Sequence, residues 1–99
     1  MKRGWFIGNF VPSVLKTNRF EVGYRKHRRG ESWPAHIHRK TEEINYLVRG
    51  EMLVNGMKYT AGEIFVIGKG EAARPEFLED CELVVVKIPS LPKDKHEII

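Results

Sequence analysis

Nine glycines and five prolines punctuate this chain, and between them the apolar residues alternate with period two. That pattern excludes long helices and demands short strands joined by tight turns. Phe20, Val22 and Tyr24 alternate with Glu21, Gly23 and Arg25. Pro34 argues against a helix through the histidines that follow it. Strands are expected from Glu43 towards Gly50, over Met52–Val54 and Met57–Tyr59, from Gly62 to Ile67, and over Leu83–Ile88. Asn55-Gly56 suits a type I′ turn and is the strongest hairpin signal. Ser13–Asn18 is long enough for a single helical turn. With 99 residues there is room for one domain, and the pattern is that of an all-β sandwich or barrel. The reading is one domain over residues 1–99, with 89–99 as an extended, peripheral tail that contains His96.

A chain this short buries only about 60–70% of its unfolded surface, so its core is thin. A single cysteine, Cys81, gives no intrachain disulfide to support it. A metal or a second subunit is the usual substitute. Edge strands of a small barrel also need covering, which favours a homodimer. The absence of disulfide chemistry suggests the cytoplasm. No stretch approaches the roughly 18 apolar residues of a membrane span, and Met1-Lys2-Arg3 leads into only a short apolar run, so neither membrane insertion nor a signal peptide is expected.

The net charge is +4 but unevenly spread: residues 1–50 hold 11 Lys and Arg against 4 acids, and residues 51–99 hold 6 against 9. The basic excess peaks at Arg25-Lys26-His27-Arg28-Arg29. No aromatic interleaves that run, as a nucleic-acid groove would require. It reads as a solvated hairpin end, with His27 at the surface; an anionic ligand or an acidic partner patch is the alternative, and an anionic polymer a weaker one. Cys81 has no adjoining base to activate it and reads as a buried thiol. Trp33, Tyr46, Met52 and Phe65 read as core of a thin barrel rather than as pocket lining.

His36 and His38 stand two apart. On an extended chain both project to one face, and an antiparallel neighbour can bring Glu43 opposite them. Two imidazoles and a carboxylate suit a divalent first-row metal and leave coordination positions for water or substrate. If Glu43 faces inward, so does Asn45, and a buried amide needs a partner or a wet pocket. Tyr46 then points away.

The segment Gly30–Gly50 resembles the first motif of the cupin superfamily. Gly30, five residues, His36-Ile37-His38, four residues, Glu43, six residues and Gly50 match each fixed position. Choosing Glu42 instead would leave Gly50 one residue too far. The second motif is partly kept: Gly62 and Gly70 match, but Gly68 replaces the proline, Ala73 stands at the fourth ligand position, normally a histidine, and Phe77 replaces the asparagine. The resemblance implies a double-stranded β-helix (jelly-roll) barrel with its site inside, often paired into dimers. It implies His36, His38 and Glu43 as ligands of Mn, Fe, Ni or Zn. Three readings of Ala73 follow: a three-ligand site, a site completed by a side chain such as Glu71, or a lost metal. The functional expectation is a metal-binding protein taking a small anionic or carbohydrate-like ligand. Asn45 would tune the site, and Arg49 or Arg74 would draw in an anion. The alternatives are a non-catalytic binding module and, more weakly, a nucleic-acid binder using residues 25–29. Whether turnover occurs is left open.

Overall fold

A computed structural model describes residues 2–91 and 95–97. The strands in chain order are β1 (Trp5–Gly8), β2 (Leu15–Lys16), β3 (Glu21–His27), β4 (His36–His38), β5 (Glu42–Arg49), β6 (Glu51–Val54), β7 (Met57–Thr60), β8 (Ile64–Ile67), β9 (Ala72–Ala73), β10 (Pro75–Phe77), β11 (Cys81–Ile88) and β12 (Lys95–Glu97). One 3-10 turn, Lys2–Gly4, precedes them. The all-β expectation holds. Ser13–Asn18 forms no helical turn, because Leu15 and Lys16 pair in parallel with Ile7 and Gly8. Among the described residues no helix is long and apolar enough to cross a membrane.

The strands form a six-stranded sheet in the order β2-β1-β3-β11-β5-β8 and two three-stranded sheets, β10-β6-β7 and β12-β4-β9. The β6–β7 hairpin turns at Asn55-Gly56 with φ of 53° and 81°. Both positive values are what a type I′ turn needs, and glycine supplies the second without strain. Leu47, Met52, Phe65, Phe77, Cys81 and Leu83 are buried between the layers. The thiol of Cys81 faces the carbonyls of Glu51 and Glu79, each at 3.3 Å, and burial pushes its pKa up. It is a core residue, as its sequence context suggests.

At the chain's end, Lys95, His96 and Glu97 pair antiparallel with His38, Ile37 and His36. This part of the expected peripheral tail is therefore a strand beside the histidine strand. Residues 92–94, 98 and 99 of that tail lie outside the described residues.

One glycine decides how the barrel mouth is lined. A Cβ on Gly23 would lie 2.6 Å from the Trp5 ring, so the bare backbone of β3 is what lets the indole lie flat on the sheet. A β-bulge between Trp5 and Ile7 turns Trp5 inward while Ile7 pairs with outward-facing Val22. Gly23→Val is expected to lift Trp5 off the sheet and cost about 1–3 kcal/mol, the usual penalty for overpacking. Urea unfolding followed by tryptophan fluorescence measures both effects; an unchanged midpoint and emission maximum would contradict this account.

Candidate metal centre and its cavity

Three strands in register set the inner face of the large sheet. Strand β11 pairs along its length with both β3 and β5. The inner rows run Glu21–Lys87–Glu43, then Gly23–Val85–Asn45, then Arg25–Leu83–Leu47. His36 and His38 come from β4 in the facing layer, and both are buried. The ligand atoms of His36, His38 and Glu43 all lie within 4.8 Å of one another. His38 Nε2 is 3.4 Å from Glu43 Oε2. His36 and His38 stand edge to face, with ring centres 5.3 Å apart. His36 Nδ1 faces the Pro34 carbonyl at 3.5 Å, the kind of backbone contact that orients a ligating imidazole. Burial works against ionisation of Glu43. The hydrogen bond with His38 and the positive charge of Lys87 outweigh it and hold the carboxyl below its ordinary range.

The donor set fits a metal. Two imidazole nitrogens and an ionised carboxylate, inward-facing and nearly in contact, are a borderline N/N/O set that suits Mn, Fe, Ni or Zn better than Mg or Ca. Ala73 is 2% exposed and pairs directly with His36. Its methyl group therefore stands beside the histidines where a fourth donor would sit. Glu71 does not replace it: that side chain is exposed and its Oε1 accepts from the Gly68 amide.

These groups line a cavity of about 100 Å³, together with Trp5, Arg25, Trp33, Asn45, Phe65 and Lys87 among others. At roughly 10–15 Å³ per water centre this holds several waters or one small molecule. Asn45 is buried and lines the cavity, as its parity predicts, and among the described residues its Nδ2 has no hydrogen-bond partner. An orphaned buried donor costs about 1–3 kcal/mol, so this amide calls for an acceptor inside the cavity. Trp33, Met52 and Phe65 also line it, so they are pocket walls as well as packing. Tyr46 is 45% exposed and points away, as expected.

The two arginines expected to draw in an anion are elsewhere. Arg49 lies at the surface, 3.6 Å from Glu82, because a bulge at Glu82/Leu83 turns the end of β5 outward. Arg74 is exposed on an outer groove with Glu31, Ser32 and Pro34. The cavity cations are Arg25 and Lys87 instead. Arg25 lies 5.5 Å from the Trp5 ring centre and 6.0 Å from that of Trp33; Lys87 Nζ lies 4.9 Å from Trp5.

The basic run is thus not a uniformly solvated hairpin end. Alternation along β3 sends Arg25 and His27 inward and leaves Lys26, Arg28 and Arg29 exposed. His27 is not a surface residue: it stacks on Phe77 at 4.2 Å and its Nδ1 is 2.6 Å from Glu31 Oε2. Glu31 also accepts from Trp33 Nε1 at 2.6 Å. Sequence reasoning missed Trp5, Arg25, Lys87 and Glu21. The available signal was that Glu21, Arg25 and Lys87 alternate with Val22, Tyr24 and Val86, which marks two faces without saying which is inside.

Glu21 sits behind the cavity, 4% exposed. Ser90 Oγ donates to its Oε1 at 3.4 Å and accepts from the Asn9 amide at 2.8 Å.

No protein-family model matches the chain, and no curated protein does. Many solved structures do. They include a conserved protein with a double-stranded β-helix domain from Klebsiella pneumoniae, 24% identical over 78% of this chain and 69% of its own, with a TM-score of 0.69. A cupin-2 domain protein from Shewanella frigidimarina is 22% identical over 76% of each chain, with a TM-score of 0.62. The polyketide cyclase RemF from Streptomyces resistomycificus is 21% identical over 84% of this chain and 63% of its own, with a TM-score of 0.72. The chain has the cupin fold, a double-stranded β-helix.

Burial raises the Glu21 pKa above its ordinary 4.5, and Lys87, Ser90, the Leu91 backbone and His38 only partly offset this. The folded form then holds a proton that the unfolded chain has released, so stability falls as pH rises from 4.5 through the raised value. Glu21→Gln is expected to remove that slope. Its melting temperature relative to the native protein should climb between about pH 4 and 8; a pH-independent difference would refute this.

Proposed function

We propose that this protein binds a divalent first-row metal through His36, His38 and Glu43 and takes up a small anionic molecule beside it. The observation that carries the reading is the convergence of the three donors on one cavity that also holds Arg25 and Lys87. Among the described residues Glu43 is the only carboxylate in the lining, so a bound divalent ion would leave the cavity with a clear excess of positive charge. The metal, when bound, would polarise an oxygen of the ligand. Asn45 presents its Nδ2 to the cavity, the aromatic walls exclude water, and the two cations hold the anion. The named neighbours include a polyketide cyclase and an oxalate oxidase. Such different activities on one fold give no warrant to carry either over.

A second reading, a binding module without metal chemistry, is favoured by Ala73 in the fourth position. Metal analysis separates the two. The purified protein is expected to hold close to one Mn, Fe, Ni or Zn per chain, and His36→Ala/His38→Ala to hold none. Ala73→His is expected to tighten binding at least tenfold, equivalent to about 1.4 kcal/mol. Absence of bound metal, with no thermal stabilisation by any of the four ions, would favour the module.

We also propose that the partner is a second copy, docked on the outer face of the six-stranded sheet. Val22, Val86, Ile44 and Val66 form one cross-strand row there, and Tyr24, Val84, Tyr46 and Ile64 the next. Ile64 is 64% and Val66 53% exposed. The four strands that carry these rows, the longest of eight residues, span roughly 19 by 26 Å at most, a flat area of about 500 Å² before side-chain relief, against the roughly 800 Å² of accessible surface per partner in a specific interface. The ends of the face differ in net charge by sign: the row Lys26–Glu82–Arg49 at one end carries a single net positive charge, Glu82 being paired with Arg49, and Glu42 at the other is negative. An antiparallel two-fold pairing would bring unlike ends together. Light scattering after size exclusion is expected to give twice 11.5 kDa, and Ile64→Lys/Val66→Lys to give a folded monomer. A native protein that is monomeric at micromolar concentration would overturn the pairing.

A further inference from the structure

The Arg25 guanidinium has an unusual setting. It faces the cavity from β3, half-buried, between the Trp5 and Trp33 rings. Its charge lies over these two rings; among the described residues no hydrogen bond or ion pair engages its five N–H donors. Burial lowers its pKa and neighbouring Arg3 adds to this, while Glu31 and Glu43 act from a distance in the opposite sense. A planar fork fixed by aromatic faces and left without a carboxylate is matched to a planar anion that can accept two parallel bonds. The same cavity holds a second unmet donor, Asn45 Nδ2, on β5 beyond the intervening β11. Its volume of about 100 Å³ limits the occupant to about ten non-hydrogen atoms or fewer at roughly 10–15 Å³ per water-sized centre.

From these features we infer that the cavity is built for a short oxo- or hydroxycarboxylate, its carboxylate on the Arg25 fork and its second oxygen accepting from Asn45 Nδ2. The inference deepens the reading of the cavity as an anion site and rests on it. Trp5, lying flat over Gly23 with Arg25 on one side and Lys87 on the other, forms the wall along which the ligand's carbon chain lies. A carboxylate fits this site better than a phosphate, because both anchors are planar and the space is small.

The probes are pyruvate, its neutral isostere pyruvamide, and propionate, which keeps the carboxylate but lacks the second oxygen. Isothermal titration of the metal-loaded protein is expected to show pyruvate binding at least tenfold more tightly than either of the others. Arg25→Met is expected to weaken pyruvate at least tenfold and abolish discrimination against pyruvamide, with metal content unchanged. Arg25→Lys keeps the charge without the fork and should recover only part of the affinity; it serves as the test if the methionine variant does not fold. Asn45→Leu should abolish discrimination against propionate. The inference is overturned if the native protein binds none of the three, if it does not distinguish them, or if the Arg25 variants bind pyruvate as the native protein does. Metal bound at full stoichiometry without carboxylate binding would sink this inference alone. Arg25-dependent carboxylate binding by a metal-free protein would instead sink the metal reading and leave the anion site standing.

Discussion

Strand β11 hydrogen-bonds along nearly its whole length to β3 on one side and β5 on the other, and this double pairing governs everything inside the barrel. A one-residue slip in either pairing would turn every side chain of that strand to the opposite face. The register in place sets Lys87 between Glu21 and Glu43, Val85 between Gly23 and Asn45, and Leu83 between Arg25 and Leu47. A charged row, a row ending in Asn45, and a row of two leucines beside Arg25 follow one another across about three pleats. The polar end meets the histidines of β4, and the apolar end merges with the core around Met52 and Phe77.

That arrangement explains how so small a barrel can contain a polar cavity. The buried polar groups are mostly matched to one another: Glu43 to His38, Glu21 to Ser90, and Glu31 to both His27 and Trp33. Among the described residues, donors on Arg25 and Asn45 are unmatched, and both line the cavity. Unpartnered polar groups are costly in a protein interior, so their concentration at one place distinguishes a ligand site from a merely loosely packed core. Gly23 is part of the same construction, since only its lack of a side chain allows Trp5 to pack on β3 and line the cavity.

The H-x-H pair and Glu43 were legible in the sequence because their relation is local. Two residues apart on an extended chain share a face, and the next strand begins only a few residues later. The Asn55-Gly56 hairpin and the inward parity of Asn45 were legible for the same reason. Arg49 and Arg74 misled because each has the charge an anion site needs; Arg49 is turned outward by a bulge at Glu82/Leu83, far along the chain, and Arg74 follows inward-facing Ala73 and so faces out. His27 misled because its neighbours in sequence are cations, whereas its neighbours in space are Phe77, Trp33 and Glu31.

The sequence by itself determined the strand pattern, the turn chemistry and the metal-ligand spacing, all of which depend on residues within about twenty positions of one another. It could not determine which face of β3 and β11 is inside. Val22, Tyr24, Val84 and Val86 look like the core face, and hydrophobicity alone would bury them. Only the closure of the barrel over His36 and His38 turned Arg25, Glu21 and Lys87 inward and left the valines on the outer face. Period-two alternation marks two faces with equal clarity, and the choice between them is made by what packs across the sheet rather than by anything along the strand.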